Sequence, residues 1–142
     1  MDRMDFHHRI PVQIRFNDID IVGHVNNAVY QEYFDQARLA YFKKVFGKKI
    51  EWVKAGFVIA GIQVDFSEPV YLDDTIFVVT RVERIGDKSL NMVQQVLKEG
   101  SGELAATART VMVSFDYQNK KSIAFPEKWK ERLEEFEGRK LS

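Results

Sequence analysis

The chain has no cysteine, only three prolines, no excess charge of either sign and no long apolar run. Without cysteine there is no disulfide framework, no zinc–thiolate centre and no thiol nucleophile, and the composition suits a reducing compartment. Twenty-one basic side chains against twenty-one acidic ones leave no global field to draw the protein onto phosphate backbones or anionic lipid, which argues against nucleic acid as a partner. The N-terminal MDRMDFHHRI lacks an apolar signal core, and no segment approaches the length needed to cross a bilayer. No membrane association is expected, and the reading is of a cytoplasmic protein. The 142 residues fit one domain, taken as 1–142, with enough chain to bury a core.

What is present is strong periodicity. Residues 10–16 alternate, with Ile10, Val12, Ile14 and Phe16 on one side and Pro11, Gln13 and Arg15 on the other, as a half-buried strand does. After Gly23 the period becomes helical: Tyr30, Tyr33, Phe34, Ala37, Ala40, Tyr41 and Val45 recur at spacings of three and four. Asn26 or Asn27 suits its N-cap, and Gly47 its end. Val29, Phe42 and Phe46 widen the apolar stripe, so the helix is expected to be enclosed on several sides. Strands are predicted over roughly 57–67, 75–85, 88–98 and 103–116, with turns at Glu68-Pro69, Asp73-Asp74, Gly86-Asp87 and Gly100-Ser101-Gly102. Such short connections require antiparallel pairing. Pro126 and Gly138 bracket a short C-terminal helix. The order predicts an α+β fold with an antiparallel sheet of about five strands wrapped around a long central helix.

The chemistry concentrates in Asp18-Ile19-Asp20-Ile21-Val22-Gly23-His24-Val25-Asn26-Asn27, a loop leading into the long helix. Unpaired N–H groups at a helix start, together with the helix dipole, stabilise negative charge, which is what an oxyanion hole requires. Asp20 supplies a group able to attack or to activate water, and the backbone amide of Asn27 a donor for the developing oxyanion. No Gly-x-Ser-x-Gly elbow competes with it. Asp18 reads as structural, paired with Arg15 or Arg38. His24 reads chiefly as a loop-holding residue with a supporting catalytic role, and Gly23, Val25, Asn26 and Tyr30 as substrate-binding neighbours. His7 and His8 lack the spaced partners that a metal site needs, and no metal is expected.

The run Asp18-Ile19-Asp20, Gly23-His24-Val25-Asn26-Asn27, Tyr30 and Ala37-Arg38 resembles the signature of the 4-hydroxybenzoyl-CoA thioesterase-like family of hotdog proteins. Asp65-Phe66, Pro69-Val70, Asp73-Asp74, Arg84-Ile85-Gly86 and Ser89 extend the likeness over most of the chain. The resemblance implies a hotdog fold and hydrolysis of acyl-CoA thioesters without a cofactor. By position, Asp20 would be the catalytic carboxylate, as general base or as nucleophile, and Asn27 the amide that polarises the carbonyl. It also implies a homodimer or homotetramer with sites between subunits. The His-Val-Asn-Asn segment is similar to acyl carrier protein (ACP) thioesterases too, but Val22 stands where those have asparagine. Acyl-ACP therefore stands as an alternative substrate, and a non-catalytic acyl-thioester-binding protein as an alternative function. Arg84, Lys88, Lys120 and Lys121 are candidate contacts to a carrier's phosphates.

Overall fold

The computed structural model describes residues 5–47 and 55–142. Strand β1 (His8–Val12) precedes helix α1 (Tyr30–Phe46). Strands β2 (Ala55–Phe66), β3 (Ile76–Ile85), β4 (Ser89–Lys98) and β5 (Leu104–Asp116) follow, then a two-residue β6 (Lys121–Ser122) and helix α2 (Glu127–Glu137). The sheet order is β1-β3-β4-β5-β2 with β6 on β5, and every pairing is antiparallel. This is the expected arrangement, with one short strand added.

Alternation decides the faces of the sheet. Val78, Thr80 and Val82 on β3, Leu90, Met92, Gln94 and Val96 on β4, and Ala106, Ala108, Thr110 and Met112 on β5 all point inward and are buried. The small alanines leave room for the aromatic rings of α1. Tyr30, Tyr33, Phe34 and Tyr41 are each at most 2% exposed, so the broad apolar stripe does correspond to a helix enclosed on several sides. Its first half packs with Val12, Val25, Val70, Ile76 and Val78, and its second half with Phe57, Val82, Leu90 and Leu133 of α2. Burying a ring such as that of Phe34 contributes about 2 kcal/mol.

Two sequence expectations are corrected. The strand predicted over 10–16 ends at Val12, because Val12 pairs with Ile76, the first residue of β3, and among the described residues no partner strand continues past it. Phe16, read as an inward residue, lies in a 3-10 turn (Phe16–Asp18) and is 79% exposed. Asn26 caps a 3-10 turn (Asn27–Val29) instead of α1 itself, by accepting a hydrogen bond from the Ala28 N–H at 3.0 Å. The helix proper begins at Tyr30. The C-terminal helix falls where Pro126 and Gly138 placed it, with Gly138 in the left-handed region at φ 74°.

The two edges of the sheet differ. Beyond Thr80 the edge of β3 is closed by the C-terminal segment: Val82 N–H donates to Glu137, Arg139 donates to the carbonyls of Val82 and Glu83, and Ile85 N–H donates to the Leu141 carbonyl. On the opposite edge β2 pairs with β5 alone among the described residues. It exposes Val58, Ile59, Ile62 and Phe66 by 38–46%.

Candidate active site

Asp18 anchors the loop that carries the motif. Its carboxylate is 2% exposed and accepts hydrogen bonds from the Arg15 N–H at 2.9 Å and from the Tyr33 hydroxyl at 2.7 Å. The Arg15 guanidinium approaches to 3.3 Å. Burial alone would push the Asp18 pKa up, but these donors and the Arg15 charge more than offset it and hold the group below the usual carboxylate range. Tyr33 is pushed the other way, by burial first and by Asp18 second. Asp18 is therefore the structural acid, paired with Arg15; Arg38 binds Asp35 and Gln94 instead.

From this anchor the chain makes a tight excursion. Asp20 N–H donates to the His24 carbonyl, and Gly23 N–H donates to the Asp20 carbonyl. Gly23 adopts φ 95°, a left-handed conformation that costs glycine little. Ile21 and Val22 form the exposed tip. The loop's return is tied down by bridges from Ile19 to Val25 and from His24 to Tyr71, and by the buried Val25 side chain. The Asp20 side chain is only a quarter exposed; one oxygen accepts from the Val22 N–H at 2.9 Å. Its other oxygen lies 3.9 Å from His24 Nδ1, beyond hydrogen-bond length, while that nitrogen is 3.4 Å from the Val25 carbonyl.

Beside this loop lies a cavity of about 240 Å³ lined by His24, Val25, Asn27, Tyr30, Phe66, Ser67, Glu68 and Pro69. The flanking amides are committed: Asn26 N–H donates to the Asp18 carbonyl and Ala28 N–H to the Asn26 side chain. The Asn27 N–H between them donates to no acceptor among the described residues. As the first residue of its 3-10 turn it has no intrahelical acceptor either. Tyr30 forms an edge contact with Phe66 at 5.1 Å between ring centres. Burial, then the Asp74 charge, push the Tyr30 phenol up to about 12, so it stays neutral.

Of the residues singled out in the sequence, His24, Val25, Asn27 and Tyr30 line this cavity. Asp20 lies just behind His24, Gly23 shapes the turn, and Asn26 caps. The wall from Phe66 to Pro69 is a part of the site that the sequence reading missed; its only signals are the Glu68-Pro69 punctuation and the family likeness of Asp65-Phe66 and Pro69-Val70. Arg84, Lys88, Lys120 and Lys121 sit at the other end of the sheet. β3 leads away from the Tyr71 contact for ten residues, roughly 30 Å, before the turn that carries Lys88. Within one subunit these residues do not join the site. His8 is half-buried against Tyr41, and burial, then Lys44, lower its pKa.

An antiparallel sheet curled around one long helix, with an acid-bearing loop at that helix's N-terminal end, defines a hotdog protein of the thioesterase type. Residues 14–133 match the sequence profile of the thioesterase-like superfamily, and the chain belongs to that family. It is 26% identical over 127 residues to the long-chain acyl-CoA thioesterase FadM of Escherichia coli (strain K12), covering 87% of this chain and 95% of FadM. It is 27% identical over 123 residues to the acyl-CoA thioesterase YbgC of Haemophilus influenzae, covering 84% and 89%. Among solved structures, a thioesterase from Thermus thermophilus complexed with coenzyme A and zinc superposes with a TM-score of 0.84 at 37% identity. That match covers 96% of this chain and 98% of the other.

Proposed function

We propose that this protein hydrolyses acyl-CoA thioesters to a free acid and coenzyme A, with Asp20 as the reacting carboxylate and the Asn27 N–H as the oxyanion donor. The observation that carries the reading is the uncommitted backbone amide of Asn27, a residue that lines a cavity beside the Asp20 loop. A donor held in place before the reaction needs no reorganisation when the carbonyl oxygen takes up charge. With Asp20 as general base, the carboxylate takes a proton as water adds to the thioester carbon. Collapse of the tetrahedral intermediate then breaks the C–S bond, and the proton passes to the departing sulfur. With Asp20 as nucleophile, its oxygen bonds to the acyl carbon as the C–S bond breaks and coenzyme A leaves as thiolate. Water then cleaves the acyl anhydride, giving the free acid and the Asp20 carboxylate, and its proton goes to the thiolate. His24, 3.9 Å from Asp20, limits the freedom of the carboxylate and takes no proton in either route. The donors in these steps all belong to the chain itself. The compartment this reading takes is the cytoplasm, in keeping with a chain that has no thiol to oxidise.

Release of free thiol from a panel of short, long and aromatic acyl-CoA thioesters tests the proposal, with the same acyl groups on acyl carrier protein in parallel. Turnover on coenzyme A thioesters is expected. Turnover on the carrier protein alone would move the substrate to that partner. Saturable binding without thiol release on either carrier would reduce the protein to an acyl-thioester binder.

Phe66, at the end of the edge strand β2, forms part of the cavity wall. A 12-residue edge strand exposing four large apolar side chains is a surface that proteins ordinarily cover. A second copy of this chain is the proposed cover, giving a symmetric homodimer, or a homotetramer built from such dimers. Ile62→Lys is expected to shift the protein toward monomer in sedimentation velocity. A wild type that sediments as a monomer at every concentration would overturn the assignment.

A further inference from the structure

The edge of β3 is covered by two different parts of the chain. β1 pairs with Ile76 to Thr80, and the C-terminal segment takes over from Val82. Arg81 falls at the seam between them, and a cavity of about 360 Å³ lies there, lined by Asp5, His7, Arg81, Glu137, Gly138 and Arg139. It lies toward the end of β3 remote from Tyr71, the strand's link to the Asp20 loop.

The charges around this cavity are unevenly satisfied. The Glu137 carboxylate is 3% exposed and committed to the interior, where it accepts from the Tyr41 hydroxyl at 2.6 Å and from Val82 N–H at 3.1 Å. Asp5 offers its backbone carbonyl to Arg81 at 3.4 Å. Among the described residues neither the Arg81 nor the Arg139 guanidinium has a carboxylate partner. Arg81 Nε is buried and meets no hydrogen-bond acceptor among the described residues. Arg139 spends one nitrogen on the carbonyls of Val82 and Glu83 and has further N–H groups to offer. His7 contributes an exposed imidazole, whose ring makes an edge approach to Phe136 at 6.5 Å.

We propose that this seam binds a phosphate-bearing anion, held between Arg81 on β3, Arg139 on the C-terminal segment and His7 at the start of β1. Donors on three separate segments that line one cavity suit an acceptor with several oxygens around one centre. A phosphate group supplies three, where a planar carboxylate supplies two. Guanidinium groups suit such recognition because their donors are fixed in a fork that matches phosphate geometry. Bound there, the anion ties the start of β1 to the segment carrying Glu137, and so to Tyr41 of α1. The site is independent of the Asp20 reaction, and its ligand acts on stability and order at that end of the sheet.

The test is a titration of the full chain with inorganic phosphate and, separately, with adenosine 5′-monophosphate. Thermal unfolding and the His7 imidazole NMR resonances are followed against sodium chloride of matched ionic strength. A saturable rise in Tm and a saturable His7 shift are expected. The apparent Kd should weaken by about tenfold or more in Arg81→Gln, the scale of losing a charge-assisted hydrogen bond. If Arg139→Gln disturbs the closure of β3, His7→Ala supplies the comparison, since it removes only an exposed side chain; the same weakening is expected. Tighter binding of the nucleotide than of phosphate identifies a nucleotide as the source, and equal binding identifies free phosphate. A response no larger than that to chloride, or one unchanged in Arg81→Gln and His7→Ala, overturns the proposal.

Discussion

Asp20→Asn is expected to lower kcat on acyl-CoA thioesters by about a hundredfold or more, the scale on which general acid or base catalysis is lost. The substitution keeps the shape of the side chain, and its amide oxygen can still accept from Val22 N–H, as Asp20 does at 2.9 Å. The Asp20–His24 excursion should therefore survive, with Tm close to wild type and KM changed far less than kcat. This split separates a reacting group from a loop-building one, because a merely structural Asp20 would lose Tm and kcat together. Equal turnover in the two proteins would remove Asp20 from the chemistry. Single turnover in ¹⁸O-labelled water then tests the nucleophilic route. Label in the Asp20 carboxylate marks an anhydride opened at the Asp20 carbon, whereas label in the product acid alone fits either the general base or an anhydride opened at the acyl carbon.

The second large effect is expected at Asp18. Asp18→Ala leaves the buried Tyr33 hydroxyl and the part-buried Arg15 N–H without their acceptor, and an unsatisfied buried donor makes a loss of about 1–3 kcal/mol the expected scale. Tyr33→Phe removes one partner only and should cost less. The pH dependence carries a definite sign. Asp18 has a folded pKa depressed below the ordinary 3.8, so its contribution is complete above that value and is lost as pH falls through the lower folded one. Wild type and Asp18→Ala should thus converge in stability only in acid. Denaturant midpoints measured from pH 7 downward check this, and a constant difference across the range would contradict it. Activity should fall as well, since Asn26 N–H bonds the Asp18 carbonyl, and the Asn27 amide is set by the backbone that bond holds.

Features set by near neighbours in the chain were legible in the sequence, and those set by distant contacts were not. Alternation with period two and recurrence at three and four residues report the faces of strands and helices directly, so the four long strands and both helices stood close to their predicted places. The strand predicted over 10–16 overran because alternation does not reveal where a partner ends; only the pairing of Val12 with Ile76 stops it. The two-residue β6 carries no periodicity to read. Asn26 is legible as a cap, but the interposed 3-10 turn depends on how Val25 and Val70 dock, with Val25 N–H bonded to the Val70 carbonyl.

For the site, the spacing from Asp20 to Asn27 was legible because one continuous loop holds both. The far wall from Phe66 to Pro69 was not, since it reaches the helix start only through the curl of the sheet. The sequence by itself determined an α+β chain with an acid-bearing loop before a long buried helix, because those features are set by neighbours within a few residues. Only the tertiary structure decided that Asp18 is locked by Tyr33 while Asp20 stays partly exposed, and that the Asn27 amide is the uncommitted donor. It also decided that the lysines of the far turns lie away from this end of the sheet. Those outcomes depend on contacts between segments far apart in the chain, and no local pattern carries them.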